Sequence, residues 1–114
     1  MATYAKELLS ASTDGRNIKV VATATAGTLI HTADATAMDE VFLFANNRDS
    51  VARLLTIEFG GVTSPDDLVV VTLAARSGPR LIVPGWVLTG GLLVRAFAEA
   101  ANVIGINGYV NRIS

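Results

Sequence analysis

The sequence predicts an all-β protein, a single compact β-sandwich or jelly-roll-like domain of about eight or nine short antiparallel strands. Three observations lead to this prediction. Apolar residues recur with a period of two rather than 3.6. β-Branched residues, which are enriched in strands, are abundant, with thirteen valines and eleven threonines. Turn residues separate the alternating segments about every 8–12 residues, and most of the ten glycines fall at those turns.

Length and composition bound the size of the core. The 114 residues are enough for one domain with one core, so we interpret residues 1–114 as a single domain. Hydrophobic residues make up 51% of the chain and charged residues 17%, whereas a typical soluble domain has about 25% charged residues. Because a small sandwich has only one interior, we expect a loop or another subunit to cover part of this apolar surface.

The N-terminal third contains three candidate strands. Residues 5–9 fit either a helical turn or a first strand. An Asp-Gly pair within residues 10–15 predicts a turn, since the aspartate accepts a local hydrogen bond and the glycine readily adopts positive φ. Strict alternation predicts a strand over residues 18–25. Gly27 interrupts this pattern, and a further strand is predicted at Thr28–Thr32.

The middle of the chain contains a candidate central strand. Residues 40–46 are apolar on both faces, which is typical of a central strand covered on both sides. Aliphatic side chains on one face alternate with Phe42 and Phe44 on the other. Further strands are predicted over residues 52–59, 68–74, 80–83, 86–88 and 92–98. Pro84 and Gly85 are expected to stop the strand over residues 80–83.

The last segment allows two interpretations. The pair Asn107-Gly108 favours a hairpin of two strands. Alternation nevertheless runs unbroken from Ile104 through Val110. We therefore prefer one continuous strand, in which Gly108 marks a bend or a close neighbour.

The residues that usually carry catalysis are scarce. The chain has no cysteine, so it forms no disulfide, no thiolate nucleophile and no cysteine-ligated zinc site. His31 is the only histidine. Because no nucleophile and acid lie at a recognisable spacing from it, we interpret His31 as a solvent-facing strand residue. We predict no catalytic residue, no cofactor and no metal ligand.

Paired acidic residues and paired glycines have ordinary structural explanations. Asp39-Glu40 and Asp66-Asp67 lack the spaced array of oxygen ligands that a Ca²⁺ site needs. We interpret Asp66-Asp67 as turn carboxylates that accept backbone hydrogen bonds. The glycine pairs at residues 60–61 and 90–91 match no phosphate-binding motif and are interpreted as turn glycines.

The charge pattern argues against nucleic acid as a partner, and the short apolar runs argue against a membrane. Ten acidic and nine basic residues leave a formal net charge of -1, and seven arginines and two lysines are spread along the chain without a cluster. This balance argues against a protein that neutralises nucleic-acid phosphates. The start of the chain has no signal-peptide pattern, and the apolar runs are far shorter than the ~20 residues of a membrane span. We expect neither nucleic acid nor a membrane as a partner.

The candidate interface residues form two groups. The first consists of aromatic anchors for the core or for a subunit interface: Phe42, Phe44, Trp86, Phe97 and Tyr109. The second consists of arginines within or at the end of apolar strands: Arg53, Arg80, Arg95 and Arg112. These guanidinium groups either extend to solvent or bridge to carboxylates of a neighbouring subunit, and we expect at least one such bridge.

Several segments together carry a family resemblance. They lie at residues 10–16, 18–31, 55–61, 64–68 and 100–113. The chain resembles small structural proteins encoded in the morphogenesis gene clusters of tailed bacteriophages and prophages, and the resemblance extends over nearly its whole length. The shared motifs are turns and strands rather than a catalytic signature, so the resemblance brings no active site.

What the resemblance implies is a virion component of the capsid decoration, or cement, type. Such proteins form homotrimers near threefold positions of the capsid and lock neighbouring capsomers together. The implied partners are further copies of the chain and the major capsid protein. The implied location is the capsid exterior, after synthesis in the host bacterial cytoplasm. We interpret residues 1–12 as an N-terminal arm that reaches the capsid or a neighbouring copy.

Three alternatives remain open at this stage. A tail or head-tail-connector subunit would form a hexameric or dodecameric ring. A monomeric ligand-binding or glycan-binding sandwich would carry a polar and aromatic groove, and the aromatic content of 6% counts against it. An enzyme is the weakest alternative, because the usual catalytic side chains are so few.

Overall fold

The regular structure consists of nine strands and no helix within residues 3–22 and 27–114, which are the residues that the computed structural model describes. In chain order, the strands are β1 (Tyr4–Leu8), β2 (Ile18–Lys19), β3 (Thr28–Thr32), β4 (Met38–Asn47), β5 (Arg53–Phe59), β6 (Leu68–Leu73), β7 (Arg80–Leu88), β8 (Leu93–Ala98) and β9 (Ile104–Ile113). The prediction of an all-β fold is confirmed.

The strands form two sheets. The first sheet has the order β1-β9-β4-β7, with β2 also paired to β9. The second sheet has the order β3-β8-β5-β6. Every pairing between these strands is antiparallel. The two sheets pack against each other, which confirms the predicted single β-sandwich.

The core lies between the inner faces of the two sheets. Leu43 and Val83 of the first sheet and Leu55, Ile57 and Val94 of the second are completely buried. They belong to one continuous cluster of apolar side chains. Full burial of a side chain of this size contributes about 1.5–3 kcal/mol, so this cluster supplies the main attraction between the sheets.

Strand β4 is central, as predicted, because it lies between β9 and β7. Its odd-numbered residues from Asp39 to Asn47 are buried, whereas its even-numbered residues from Glu40 to Asn46 are half-buried on the other side. Within one copy of the chain only the inner side is covered, by the second sheet, and coverage of the other side by another subunit stays a prediction. In the described ranges, no third layer of strands or helices lies over the side that carries Phe42 and Phe44.

Strand β9 is continuous from Ile104 to Ile113, which confirms the preferred interpretation over a hairpin. The close approach of β4 explains why residue 108 is glycine. A Cβ atom added at Gly108 would overlap the carbonyl oxygen of Phe42 on β4. The prediction that this glycine marks a close neighbour is therefore confirmed.

Strand β7 corrects another prediction. Pro84 and Gly85 do not end a strand but lie within one strand of nine residues. Strand β7 is an edge strand, and its register with β4 shifts at two places, which indicates bulges. Edges and bulges tolerate proline, because the missing N–H is not required by a second neighbouring strand.

The N-terminal predictions hold in part. Residues 4–8 form a strand rather than a helical turn. The strand predicted over residues 18–25 is regular only at Ile18–Lys19, while Val21 makes an isolated parallel bridge to Phe97. Residues 23–26 lie outside the described residues, as do residues 1–2. Strand β1 pairs with β9 of its own chain. Contact of the arm over residues 1–12 with the capsid or a neighbouring copy stays a prediction.

Candidate functional site

The side of the first sheet that points away from the core is strongly apolar. Cross-strand partners point to the same side of a sheet, and the register aligns Leu8, Tyr109, Phe42 and Pro84 in one row across four strands. Neighbouring rows extend this surface, which we call the outer face. Its apolar members are Tyr4, Leu8, Met38, Phe42, Phe44, Leu81, Pro84, Val87, Tyr109 and Ile113.

A stacked aromatic pair occupies the middle of the outer face. The rings of Phe42 and Tyr109 have their centroids 4.9 Å apart and an interplanar angle of 21°. The Nζ atom of Lys6 lies 4.6 Å from the centroid of the Tyr109 ring. Gly85 leaves room for this pair, since a Cβ added there would lie 2.9 Å from Cζ of Phe42. Stacking and cation–π contacts are each worth on the order of 0.5–1.5 kcal/mol, so the rings are held in a fixed arrangement.

Solvent reaches most of the outer face. Leu81 is 51% exposed, Val87 50% and Met38 45%. Leu8 and Tyr4 on the edge strand β1 are more exposed still. Contiguous exposed apolar surface of this kind marks interaction sites in soluble proteins. Part of the apolar excess of the composition is therefore located here, on one continuous surface.

Charge on the outer face is balanced. The row Lys6, Asn111 and Glu40 holds one cation on β1 and one carboxylate on β4, with Asn111 of β9 between them. Oε1 of Glu40 accepts a hydrogen bond from Nδ2 of Asn111 at 3.2 Å. With no excess of either sign, the middle of this face is suited to another apolar protein surface rather than to a polyanion.

A pocket of about 590 Å³ lies at one end of the outer face and is lined by Thr13, Arg16, Asn17, Lys19 and Arg48. Lys19 pairs with Gly105, which pairs with Asn46 on β4, so the pocket continues the outer face beyond Phe44. All five lining residues are exposed. Within the part of the chain that the structure describes, none of the three cations forms a salt bridge. We call this feature the basic pocket.

The basic pocket was not predicted from the sequence, because its cations do not form a cluster along the chain. Arg16 and Lys19 precede or lie on β2, whereas Arg48 follows β4. They meet because β2 and the end of β4 both pair with the start of β9. The backbone N–H of Arg48 also donates to the carbonyl of Val103, just before β9, at 2.9 Å. Only the strand order reveals this proximity.

A second polar group, which we call the inter-sheet bridge, consists of His31, Asp34, Asp39 and Arg112 at the opposite end of the sandwich. Nε2 of His31 on β3 lies 2.8 Å from Oδ2 of Asp39 on β4. Arg112 on β9 donates to the two oxygens of Asp39, from Nε at 2.8 Å and from Nη2 at 3.1 Å. Oδ1 of Asp34 lies 3.8 Å from Nη1 of Arg112. The group thus links the second sheet to two strands of the first.

The prediction that His31 faces solvent is wrong, because its exposure is 0%. The register between β3 and β8 shifts between Leu29 and His31. As a result, the consecutive residues Ile30 and His31 are both buried. A bulge inserts an extra residue and redirects the side chains after it, and a period-two pattern in the sequence does not reveal its position.

Both nitrogens of His31 are engaged. Nδ1 accepts a hydrogen bond from the backbone N–H of Ser10 at 3.0 Å, so we assign the ring hydrogen to Nε2, which donates to Asp39. The hydroxyl oxygen of Ser10 instead accepts a hydrogen bond from the backbone N–H of Thr32 at 2.7 Å. The arrangement therefore differs from the hydroxyl-to-imidazole contact that activates a serine nucleophile. It ties the segment after β1 to β3.

The inter-sheet bridge keeps its charges at neutral pH. Burial acts to raise the pKa of Asp39, but hydrogen bonds from Arg112 and His31 outweigh it and hold that pKa below the ordinary value. The hydrogen bond with Asp39 raises the pKa of Arg112 against the effect of desolvation. Backbone N–H groups of Ala37 and Thr36 lower the pKa of Asp34. The group therefore contains an ionised ion pair beside a hydrogen-bonded imidazole.

The aromatic candidates from the sequence do not all lie together. Phe42, Phe44 and Tyr109 share the outer face. Trp86 is 44% exposed on the edge strand β7, and its ring makes an edge-to-face contact with Phe59 at 5.5 Å between centroids. Phe97 lies in the second sheet. The structure therefore brings three of the five candidates to one surface.

The four candidate arginines also differ. Arg112 belongs to the inter-sheet bridge, and Nη2 of Arg53 lies 2.6 Å from Oδ2 of Asp49. That contact, with the backbone N–H of Ser50, lowers the pKa of Asp49. Arg80 is exposed at the start of β7, and Arg95 is half-buried on β8. A role for any of the four in bridging subunits stays a prediction.

The described residues form no helix that is long and apolar enough to cross a membrane. Across residues 3–22 and 27–114, no three histidine, aspartate or glutamate side chains gather as a metal site. Comparisons of the chain with protein families, curated proteins and solved structures find no match in any of the three.

Proposed function

We propose that this protein is a non-enzymatic structural module that associates with copies of itself through the outer face. The observation that carries the proposal is the exposed apolar surface that continues across β1, β9, β4 and β7. The fixed aromatic pair at its centre has the character of an interface anchor, since rigid aromatic side chains dominate binding energy.

The size of the outer face is sufficient for association. Neighbouring strands lie about 4.8 Å apart and residues rise about 3.3 Å, so four strands of this length present roughly 19 by 30 Å. A neighbouring copy that covers this area removes roughly 1,100 Å² from water when both partners are counted, close to the lower bound of about 1,000–1,200 Å² for a specific interface. Another copy of the chain is a suitable occupant, because the outer face is apolar and carries one charge of each sign.

We place this module on the head of a tailed bacteriophage as a capsid decoration protein. The resemblance of its turns and strands to phage structural proteins supports this setting and implies a homotrimer in contact with the major capsid protein. The mechanism needs no chemistry at the site. Many modest contacts repeated over a lattice multiply in strength, which stabilises the head against internal pressure.

The self-association proposal is tested by light scattering coupled to size-exclusion chromatography over a dilution series. We expect the natural chain to run at about three chain masses. The variant Leu81→Glu/Val87→Glu is expected to run as a monomer, because it places two carboxylates in the apolar interface. The matched control is Leu54→Glu/Val70→Glu, which changes a leucine and a valine of similar exposure on the second sheet. We expect the control to keep the mass of the natural chain.

Other outcomes would change the proposal. A natural chain that stays monomeric at every concentration contradicts self-association. A monomeric control contradicts the assignment to the outer face. A hexamer or dodecamer contradicts the decoration trimer and favours the tail or connector ring.

The phage setting is tested by immunogold electron microscopy of particles from an induced lysate of the encoding cell. Label over the heads is expected. Label on tails or necks supports the ring alternative, and particles without label contradict a virion role.

A further inference from the structure

We infer that the basic pocket of one copy receives the turn that carries Asp66 and Asp67 of the next copy, so that copies associate head to tail. The inference rests on the proposed self-association and identifies two surfaces that come into contact. Arg16, Lys19 and Arg48 supply three positive charges without a carboxylate among the lining residues. Such a group of cations attracts an anionic group, with which it forms charge-assisted hydrogen bonds.

Charge is segregated along the strand direction. The register divides the sandwich at the rows that contain Phe42 and Thr56. The half with the basic pocket then comprises residues 10–22, 43–56, 70–83 and 97–108, and it holds six basic and three acidic side chains. The half with the inter-sheet bridge holds three basic and seven acidic side chains. The net charge of -1 therefore conceals one positive end and one negative end.

The two ends act separately on a neighbouring molecule. The ten residues of β4 span roughly 33 Å between the two ends, whereas charges are screened over about 8 Å at physiological ionic strength. Opposite ends of two copies attract each other, while like ends repel. Complementary charge of this kind sets orientation and excludes the wrong arrangement.

Asp66 and Asp67 are the two carboxylates of the negative end that lie together on a turn, whereas Glu7 and Glu40 lie on the strands β1 and β4. Asp34 and Asp39 face Arg112, and Glu58 is 1% exposed. Asp66, by contrast, is exposed on the turn between β5 and β6. Its neighbour Asp67 accepts a hydrogen bond from the backbone N–H of Thr63 at 3.1 Å, which holds the turn. Two adjacent carboxylates thus stand at the end farthest from the basic pocket.

The basic pocket and the acidic turn are different surfaces, so their contact is heterologous and repeats from copy to copy. A heterologous contact closes into a ring when its rotation permits. The basic pocket also adjoins the outer face. One neighbour therefore both covers apolar surface and inserts its turn. Arginine suits such a contact, because its forked donors match carboxylate geometry.

The test is a charge-reversal cycle on the full chain, read as the dissociation constant of the oligomer at about 50 mM NaCl. The pocket variant is Arg16→Glu/Lys19→Glu, and the turn variant is Asp66→Lys/Asp67→Lys. We expect each to weaken association at least tenfold, and the combination of all four substitutions to restore it to within about threefold. Compared with Arg16→Glu alone, the control Arg76→Glu reverses one exposed charge in the same half but outside the basic pocket. We expect it to weaken association less than threefold.

Three results would overturn the head-to-tail contact: a control as damaging as Arg16→Glu alone, a combined variant that stays dissociated, or an oligomer insensitive to every reversal. The last result leaves the outer-face association standing, because that contact is apolar. A natural chain that is monomeric throughout contradicts both proposals.

Discussion

The inter-sheet bridge and the basic pocket lie at opposite ends of one sandwich and differ in whether their charged side chains are buried and paired. In the inter-sheet bridge, the Asp39 carboxylate is buried and accepts hydrogen bonds from both His31 and Arg112. In the basic pocket, Arg16 and Lys19 are exposed and form no salt bridge in the described ranges. The first arrangement completes the fold, whereas the second leaves charge available to another molecule.

The difference has a physical basis. A buried charge is costly unless its partners are present, so removal of one partner is strongly destabilising. Exposed charges are solvated and screened, so the fold tolerates them unpaired. Unpaired charges that lie together at a surface therefore indicate binding rather than stability, and the comparison predicts unequal effects of substitution at the two ends.

The largest effect is expected from Asp39→Ala. This change leaves Arg112 and His31 without their shared partner inside the sandwich, and we expect it to lower the free energy of unfolding by about 3–5 kcal/mol. Urea denaturation at pH 7 measures the loss. The control is Asp49→Ala, which removes the carboxylate of the more accessible pair with Arg53. Equal losses from the two variants would contradict the distinction between buried and exposed pairs.

An intermediate effect is expected from acid. The pKa of Asp39 lies below its ordinary value in the folded protein, and the unfolded chain titrates near pH 3.9. The ionised carboxylate therefore stabilises the fold fully above about pH 4, and this contribution is lost as the pH falls through the lower folded-state pKa. Urea midpoints measured from pH 6 to pH 2.5 should fall more steeply for the natural chain than for Asp39→Asn. Parallel curves would show that this carboxylate does not govern the acid transition.

The smallest effect on stability is expected in the basic pocket. Arg16→Gln/Lys19→Gln removes two exposed charges that repel each other and face no acid, so Tm should move by no more than about 2 °C. Scanning fluorimetry measures the shift at a concentration where the chain is monomeric. Arg112→Gln serves as the contrast, because it breaks the inter-sheet bridge and should lower Tm clearly. A large loss of Tm in the pocket variant would assign those cations to the fold instead of to a partner.

Local patterns in the sequence predicted much of the fold. The alternation around Phe42 and Phe44 identified a central strand, and the unbroken alternation through Gly108 identified β9 as one strand. The same reasoning failed at bulges. It placed His31 in solvent and ended a strand at Pro84, because a bulge shifts the alternation and an edge tolerates proline.

The sequence predicted which aromatic residues act as anchors, but not the surface on which they lie. Phe42, Phe44 and Tyr109 were expected as anchors of either the core or an interface, and the strand register put all three on the outer face. The basic pocket was not predicted at all. Its cations come from two separate parts of the chain, and no spacing rule connects Arg16 with Arg48.

The sequence by itself determined the fold class and the apolar excess. Each of these depends on composition or on a period of two, and both are local properties of the chain. Only the tertiary structure decided which apolar residues stay exposed, that His31 is buried, and that a nearly neutral chain has one positive and one negative end. Those features depend on which strands pair and in what register, and strand pairing joins residues that are far apart in sequence.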